Sequence, residues 1–196
     1  MEGMVKGYLI LTSGKFISED ATLRARMPAE IHETIADHAA TIKPREWYPR
    51  GGAILLWRAI AAAGDDEATV NDSLIRCGEY IANYATGTFL KLLLKLLTPR
   101  MFARKFPDLW AHDHDRGVAE VKSLDDTRML IVFNDIEGFD HVSVTAQGFI
   151  RFALRASGLK SVSTRCPDWS LTTPGPREAN VEVTWQQNEA TVKPAS

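Results

Sequence analysis

The run VAEVKSLDDTRMLIVF, residues 118–133, decides the fold, because here a helical chain gives way to a sheet. Val118 to Val121 and Met129 to Phe133 read as two strands, with Leu124-Asp125-Asp126 as the polar turn between them. This is hairpin chemistry, although the loop is not of the Asn-Gly or Asp-Gly type. Working outward toward the C-terminus, a helix is predicted from His141 to Ser157, carrying Val144, Phe149, Ile150, Phe152, Ala153 and Leu154. Gly158 supplies its stop. Leu159 to Thr164 and Val181 to Trp185 read as two further strands, and the Pro/Gly-rich stretch Thr172 to Arg177 between them is too polar for a core. Residues 187–196 read as a disordered tail.

Working outward in the other direction, almost no strand signal precedes the hairpin apart from the short apolar stretch Val5 to Thr12. Pro28 opens a predicted helix to about Ile42, with Ile31, Ile35 and Ile42 near helical spacing, and Pro44 interrupts the chain. A second helix follows Pro49 through Ala63. Gly64-Asp65-Asp66 turns the chain into a third segment, Glu67 to Leu97, with a break near Thr86-Gly87. A short helix carrying Met101, Phe102 and Phe106 follows Pro99, and the character changes after Pro107. The expectation is an α+β domain over residues 1–186, an N-terminal helical subdomain packed on a C-terminal antiparallel β-β-α-β-β sheet. Segregated helices and strands exclude a doubly wound sheet.

The segment FLKLLLKLL, Phe89 to Leu97, has Leu on nearly every face, interrupted only by Lys91 and Lys95, four apart on one side. It falls well short of the roughly 20 apolar residues a bilayer span needs. Its expected place is a packed core or a homodimer seam. The 196-residue chain is 45% hydrophobic and 24% charged, with a net charge of −2, so no global positive field points to nucleic acid. No basic segment with a long apolar stretch and cleavage site opens it, and Cys77 and Cys166 form no CxxC motif. The chain reads as soluble and cytoplasmic, with reduced thiols.

Several groupings bear on chemistry. Trp110-Ala111-His112-Asp113-His114-Asp115 offers two His and two Asp, and His-x-His on a strand would aim both rings to one side as metal ligands. The competing reading, which we favour, is a polar connector into the first strand of the sheet, ending at Gly117. Nothing local orients a base toward either thiol, so covalent catalysis is not indicated and the chain is read as a non-enzyme. Gly51-Gly52 opens a helix without either phosphate-loop spacing. The aromatic set Trp47, Tyr48, Trp57, Tyr80, Tyr84 and Phe89 clusters in the helical half, and these six are the candidate walls of an apolar ligand pocket. Ordinary core packing is the alternative for them.

The order of Lys6-Gly7, Glu46-Trp47-Tyr48-Pro49 opening a helix, Cys77-Gly78, Thr98-Pro99-Arg100, Trp110 with its His/Asp-rich turn, Gly117 and Trp185 after Cys166 carries a resemblance. Over residues 4 to 186 the chain resembles uncharacterised heme-free bacterial proteins. These are similar to the superfamily of heme-nitric-oxide sensors, 4-vinyl-reductase-type domains and small subunits of the transport protein particle (TRAPP) tethering complex. The resemblance implies a helical subdomain on an antiparallel sheet, an internal cavity for a small or lipid-like ligand, and a sensory or assembly role. For the heme sensors it implies a proximal His, a role for which His112 is the available position with His114 in reserve, and a Tyr-x-Ser-x-Arg motif, which this sequence lacks. Cys166 stands where related members carry the first of two hairpin cysteines, and Ala179 or Asn180 stands at the second. The functional expectation is a regulatory module without a cofactor that binds a hydrophobic ligand and signals through protein contacts. Its alternatives are a ligand-free TRAPP-like scaffold and a heme or metal sensor using His112.

Overall fold

A computed structural model describes residues 3–85, 97–135, 139–167, 169–170 and 178–186. The Leu-rich run through residue 96, the predicted break at Thr86-Gly87, the 172–177 loop and the 187–196 tail lie outside the described residues; Leu97 packs against the core. The architecture is α+β, a helical N-terminal region with an antiparallel sheet. Helices α1 (Gly7–Glu19), α2 (Ala21–Arg26), α3 (Ala29–Thr41), α4 (Gly51–Ala62), α5 (Glu67–Ala85) and α6 (Pro99–Asp113) precede β3 (Val118–Leu124) and β4 (Arg128–Asn134). Helix α7 (Phe139–Ala156), β5 (Lys160–Arg165) and β6 (Glu178–Gln186) follow, while β1 (Met4–Lys6) and β2 (Trp47–Pro49) form a small antiparallel pair at the N-terminus.

The sheet order is β3-β4-β6-β5, all antiparallel. Its inner face follows from period-2 alternation: Met129, Ile131 and Phe133 pair with Val183, Val181 and Ala179, and all six are buried. The β3–β4 turn closes on Asp125, whose Oδ1 accepts from the backbone N–H groups of Thr127 and Arg128, both at 2.9 Å. The carboxylate also takes the Arg128 guanidinium. A side-chain-braced Asx turn replaces the Asn-Gly signal.

Helix α7 joins the two halves, packing on α5 along one side and on β5 and β6 along another. It ends as its sequence predicts: Gly158 takes φ +93°, and Leu159 N–H reaches the Leu154 carbonyl at 3.3 Å. The α5–α7 contact is exceptionally close. A Cβ on Gly78 would overlap the Thr145 carbonyl oxygen, and one on Gly148 would overlap the Ile75 carbonyl oxygen. Glu79 of α5 adds ion pairs to Arg151 at 3.2 Å and Arg155 at 2.9 Å across the same seam.

Three local expectations are corrected. The apolar stretch Val5 to Thr12 is mostly helix: only β1 is extended, and from Gly7 onward Leu9, Ile10, Ser13, Phe16 and Ile17 form one buried face. Glu46-Trp47-Tyr48-Pro49 does not open a helix but supplies β2, and α4 begins at Gly51. Pro107 is not a boundary. It lies inside α6, which starts with Thr98 Oγ1 accepting from Met101 N–H at 3.2 Å and runs on to Asp113. An interior proline costs about 3 kcal/mol. Burial of Phe106 and Trp110, on either side of it and both against Phe133, offsets that at about 1.5–3 kcal/mol each.

Candidate functional site

A cavity of about 60 Å³ lies within the helical region, at the junction of α1, α4, α5, α6 and α7. Leu9, Ile81, Phe106 and Phe149 line it with apolar side chains, Trp57 contributes from α4, and Gly78 from α5. Val142, Thr145 and Ala146 close the α7 side. Leu109 lines the cavity and is also 37% exposed, so one wall of α6 reaches the protein surface.

One end is polar. Tyr8 Oη donates to Asp113 Oδ2 at 2.5 Å, tying α1 to the C-terminus of α6. Burial first, and the Asp113 carboxylate second, hold this phenol well above its ordinary pKa, so it remains a donor. Asp113 Oδ1 meets His112 Nδ1 at 2.8 Å, and the His112 side chain is 75% exposed. His114 goes the other way. Its ring stacks on Trp110 at 3.8 Å between centroids, 9° from parallel, and lines the cavity while 8% exposed. Its backbone N–H caps α6 on the Trp110 carbonyl at 3.0 Å, and residue 114 bridges to Val5 of β1. The two histidines therefore diverge, because one ends the helix on its outer face and the other follows the cap inward; they do not form a same-side His-x-His pair. Among the described residues no three His, Cys, Asp or Glu side chains gather as a metal-ligand group.

Burial, with Arg50 adding positive charge nearby, pushes His114 down to about 3, so the ring is neutral in the folded protein. Arg50 is itself buried and donates to the Arg116 carbonyl at 2.8 Å. Cys77, on α5, has its thiol pushed up to about 12 by burial, in a polar cluster where Trp57 Nε1–H donates to Ser13 Oγ at 3.0 Å. A thiol held this high is not a nucleophile at neutral pH.

Of the six residues predicted for the pocket, Trp57 lies on the cavity. Trp47 is 40% exposed under the Lys6 ammonium, and Tyr84 is 50% exposed near Lys15. The Tyr48 hydroxyl accepts from Lys43 N–H at 3.0 Å, and Tyr80 donates to Glu19 at 2.5 Å; each phenol is engaged away from the cavity. Phe89 lies outside the described residues. The sequence reading missed Tyr8, Phe106 and Phe149 as wall residues and ranked His112 above His114. The helical period of α1 from Gly7 onward and the apolar faces of α6 and α7 were the signals that lead to them.

No protein-family model matches the sequence, and no curated protein matches it. Solved structures do. An Fe(II) unliganded H-NOX protein from K. algicida superposes with a TM-score of 0.67 at 11% identity, covering 94% of this chain and 98% of that one. The fold is that of the H-NOX domains. An H-NOX protein from S. oneidensis matches equally, with a TM-score of 0.67 at 11% identity over 94% and 97% of the two chains. An oxygen-binding H-NOX domain related to soluble guanylate cyclases gives 0.60 at 9% identity over 93% and 95%. In this H-NOX fold no helix among the described residues is long and apolar enough to cross a membrane.

The neutral His114 has a measurable consequence. Its folded pKa, about 3, lies below the usual value of 6.5, so on acidification the unfolded chain takes up a proton that the folded chain refuses. The stability is complete above pH 6.5 and is lost as pH falls toward 3, by about 1.4 kcal/mol per unit. Urea unfolding at about pH 7.5 and about pH 5 is expected to show a loss of about 2 kcal/mol from this group. His114→Gln is expected to reduce the difference between the two pH values by that amount.

Proposed function

We propose that this chain is a sensory or regulatory module of H-NOX fold that works without heme. A small, largely apolar ligand occupies the α1–α5–α6–α7 cavity, and occupancy passes to a protein partner, in a homodimer. The observation that carries the reading is an apolar cavity with one polar end in a fold whose solved members bind small ligands. Those members are described as Fe(II)–NO, oxygen-binding and porphyrin-distorting heme proteins.

Heme itself does not fit the residues present. Ligand pockets of cofactor size run to roughly 300–1,000 Å³, against about 60 Å³ here. An axial His must offer a ring nitrogen to iron. His112 projects into solvent, 75% exposed and outside the cavity lining, and His114 lies flat on Trp110 beside a cavity too small for a porphyrin. The high thiol pKa of Cys77 and the neutral His114 support a binding module rather than an enzyme. A ligand shifts the protein only by binding one arrangement better than another. Helix α6 is the element placed to move, because Leu109 touches both the cavity and the surface while α5 and α7 are locked together at Gly78 and Gly148.

Toluene titrated into protein with labelled methyl groups tests the reading. The Ile81 and Leu109 methyl signals are expected to shift, and Ala146→Leu, which fills the cavity, is expected to abolish the shift. Unmoved signals in the wild type would leave the ligand-free TRAPP-like scaffold standing instead. Hemin added to the same sample is expected to give no Soret band, and a stoichiometric one would overturn the heme-independent reading. Light scattering that returns a monomer would remove the dimer.

A further inference from the structure

Helix α3 is held to the body by little. Of its 13 residues only Ile31 is buried, with Ile35 packed on the core, and its main contact is with α1. The opposite face is exposed and consists of small and acidic residues, Ala29, Ala36 and Ala40 with Glu30, Glu33 and Asp37. Among the described residues none of these three carboxylates is in an ion pair. Like charges three and four apart weaken a helix, and α3 carries no Lys or Arg to offset them. Helix α6 presents the reverse. Arg100, Arg104 and Lys105 are exposed on its first two turns, beside Met101, which is 40% exposed. Lys105 pairs with Asp108 at 3.3 Å, whereas Arg100 and Arg104 are in no ion pair among the described residues. The two arginines repel each other, and the positive end of the helix dipole opposes Arg100. Each face therefore carries an electrostatic conflict that its own chain does not relieve, the kind of local conflict that marks a surface serving more than the fold.

Resting on the homodimer of the reading above, we infer that the exposed face of α6 is the docking surface for α3 of a second copy of this chain. The two faces are complementary in charge, and their spacings agree. Arg100 and Arg104 are four apart, as are Glu33 and Asp37. An antiparallel alignment of the helices sets Arg100 against Asp37, Arg104 against Glu33 and Met101 against Ala36. Alanine at the contact lets the helix axes approach closely, which gives the exposed methionine a surface to bury against. A two-fold pair of protomers makes the contact twice, since each chain offers both faces. Leu109 lines the cavity from the same helix, so cavity and interface share α6.

Exchanging the charges tests this on the full chain. Arg100→Glu with Arg104→Glu, and separately Glu33→Arg with Asp37→Arg, are each expected to weaken the dimer about a hundredfold or more in sedimentation equilibrium, because like charges then face each other. An equimolar mixture of the two variants is expected to dimerise again about as tightly as the wild type, because both contacts of the pair regain opposite charges. Wild-type association is also expected to weaken as salt rises from about 0.05 to about 1 M, a measurement that needs no variant to fold. A wild-type dimer indifferent to salt or to either reversal would overturn the inference and place the seam elsewhere. Variants that dissociate without recovering on mixing would overturn it too. A monomeric wild type would remove the inference and the dimer together, while the toluene titration decides the cavity reading on its own.

Discussion

Gly78→Ala is expected to lower stability by about 3 kcal/mol or more, at the upper limit of what overpacking costs. The new methyl group would overlap the Thr145 carbonyl oxygen and lie 3.2 Å from the Gly148 Cα. These are backbone atoms of a neighbouring helix, so no rotamer change relieves the clash and α5 must separate from α7. Gly148→Ala is expected to do the same from the other side, meeting the Ile75 carbonyl oxygen, with the Glu79 amide nitrogen 2.6 Å away. Because both changes spread one seam, the double variant is expected to cost less than the two single losses added together. Thermal unfolding reads the effect as a fall in Tm of roughly 6–12 °C for a chain of this size.

Helix propensity alone predicts the reverse, since alanine is favoured over glycine by about 1 kcal/mol inside a helix. Gly14 of α1 provides the control. A Cβ there meets only the Ile35 side chain, at 3.2 Å, and that side chain can give by a few tenths of an ångström. Gly14→Ala is therefore expected to be near neutral or slightly stabilising. Loss at Gly14 equal to that at Gly78 would mean that the α5–α7 approach is not what sets the cost.

The sheet half of the molecule was legible in the sequence because its signals are local. Alternation in Met129 to Phe133 and Val181 to Trp185 places one face inward whatever else the chain does, and Gly158 marks the end of α7 by its own backbone freedom. The helices around Pro44 and Gly64 were legible for the same reason. Helix α1 was not, since Val5 to Thr12 is an unbroken apolar run in which period 2 and period 3.6 look alike. Nor was the continuation of α6 past Pro107, because what holds it is Phe133, a distant partner across the sheet. Aromatic density along the chain selected Trp47, Tyr48 and Tyr84, but density is not convergence. The cavity is closed by Tyr8 and Asp113, 105 residues apart. Whether His112 or His114 turned inward depended on where α6 ended, and a one-residue error in a helix end reverses that answer.

Phe106→Ala is expected to cost about 3–5 kcal/mol and, unlike an ordinary core truncation, to be partly reversible by ligand. Phe106 is buried, packs on Phe102 at 5.2 Å and edge-on to Phe133 at 6.0 Å, and also forms cavity wall. Removing its ring joins new space to space that already exists, so the variant should accept a bicyclic ligand such as indole that the wild type excludes. A ligand bound only by the folded state adds about 2.7 kcal/mol at a hundredfold excess over Kd, enough to recover much of the loss. Phe102→Ala separates this from a general truncation effect. Phe102 is equally buried, does not line the cavity, and should lose similar stability with no recovery on adding indole. Urea unfolding of both variants with and without indole makes the comparison. Recovery in both variants would place indole in any newly made hole. Recovery in neither would show that the space left by Phe106 collapses or is not continuous with the cavity. Recovery confined to Phe106→Ala would show that the space left by its ring is continuous with the cavity.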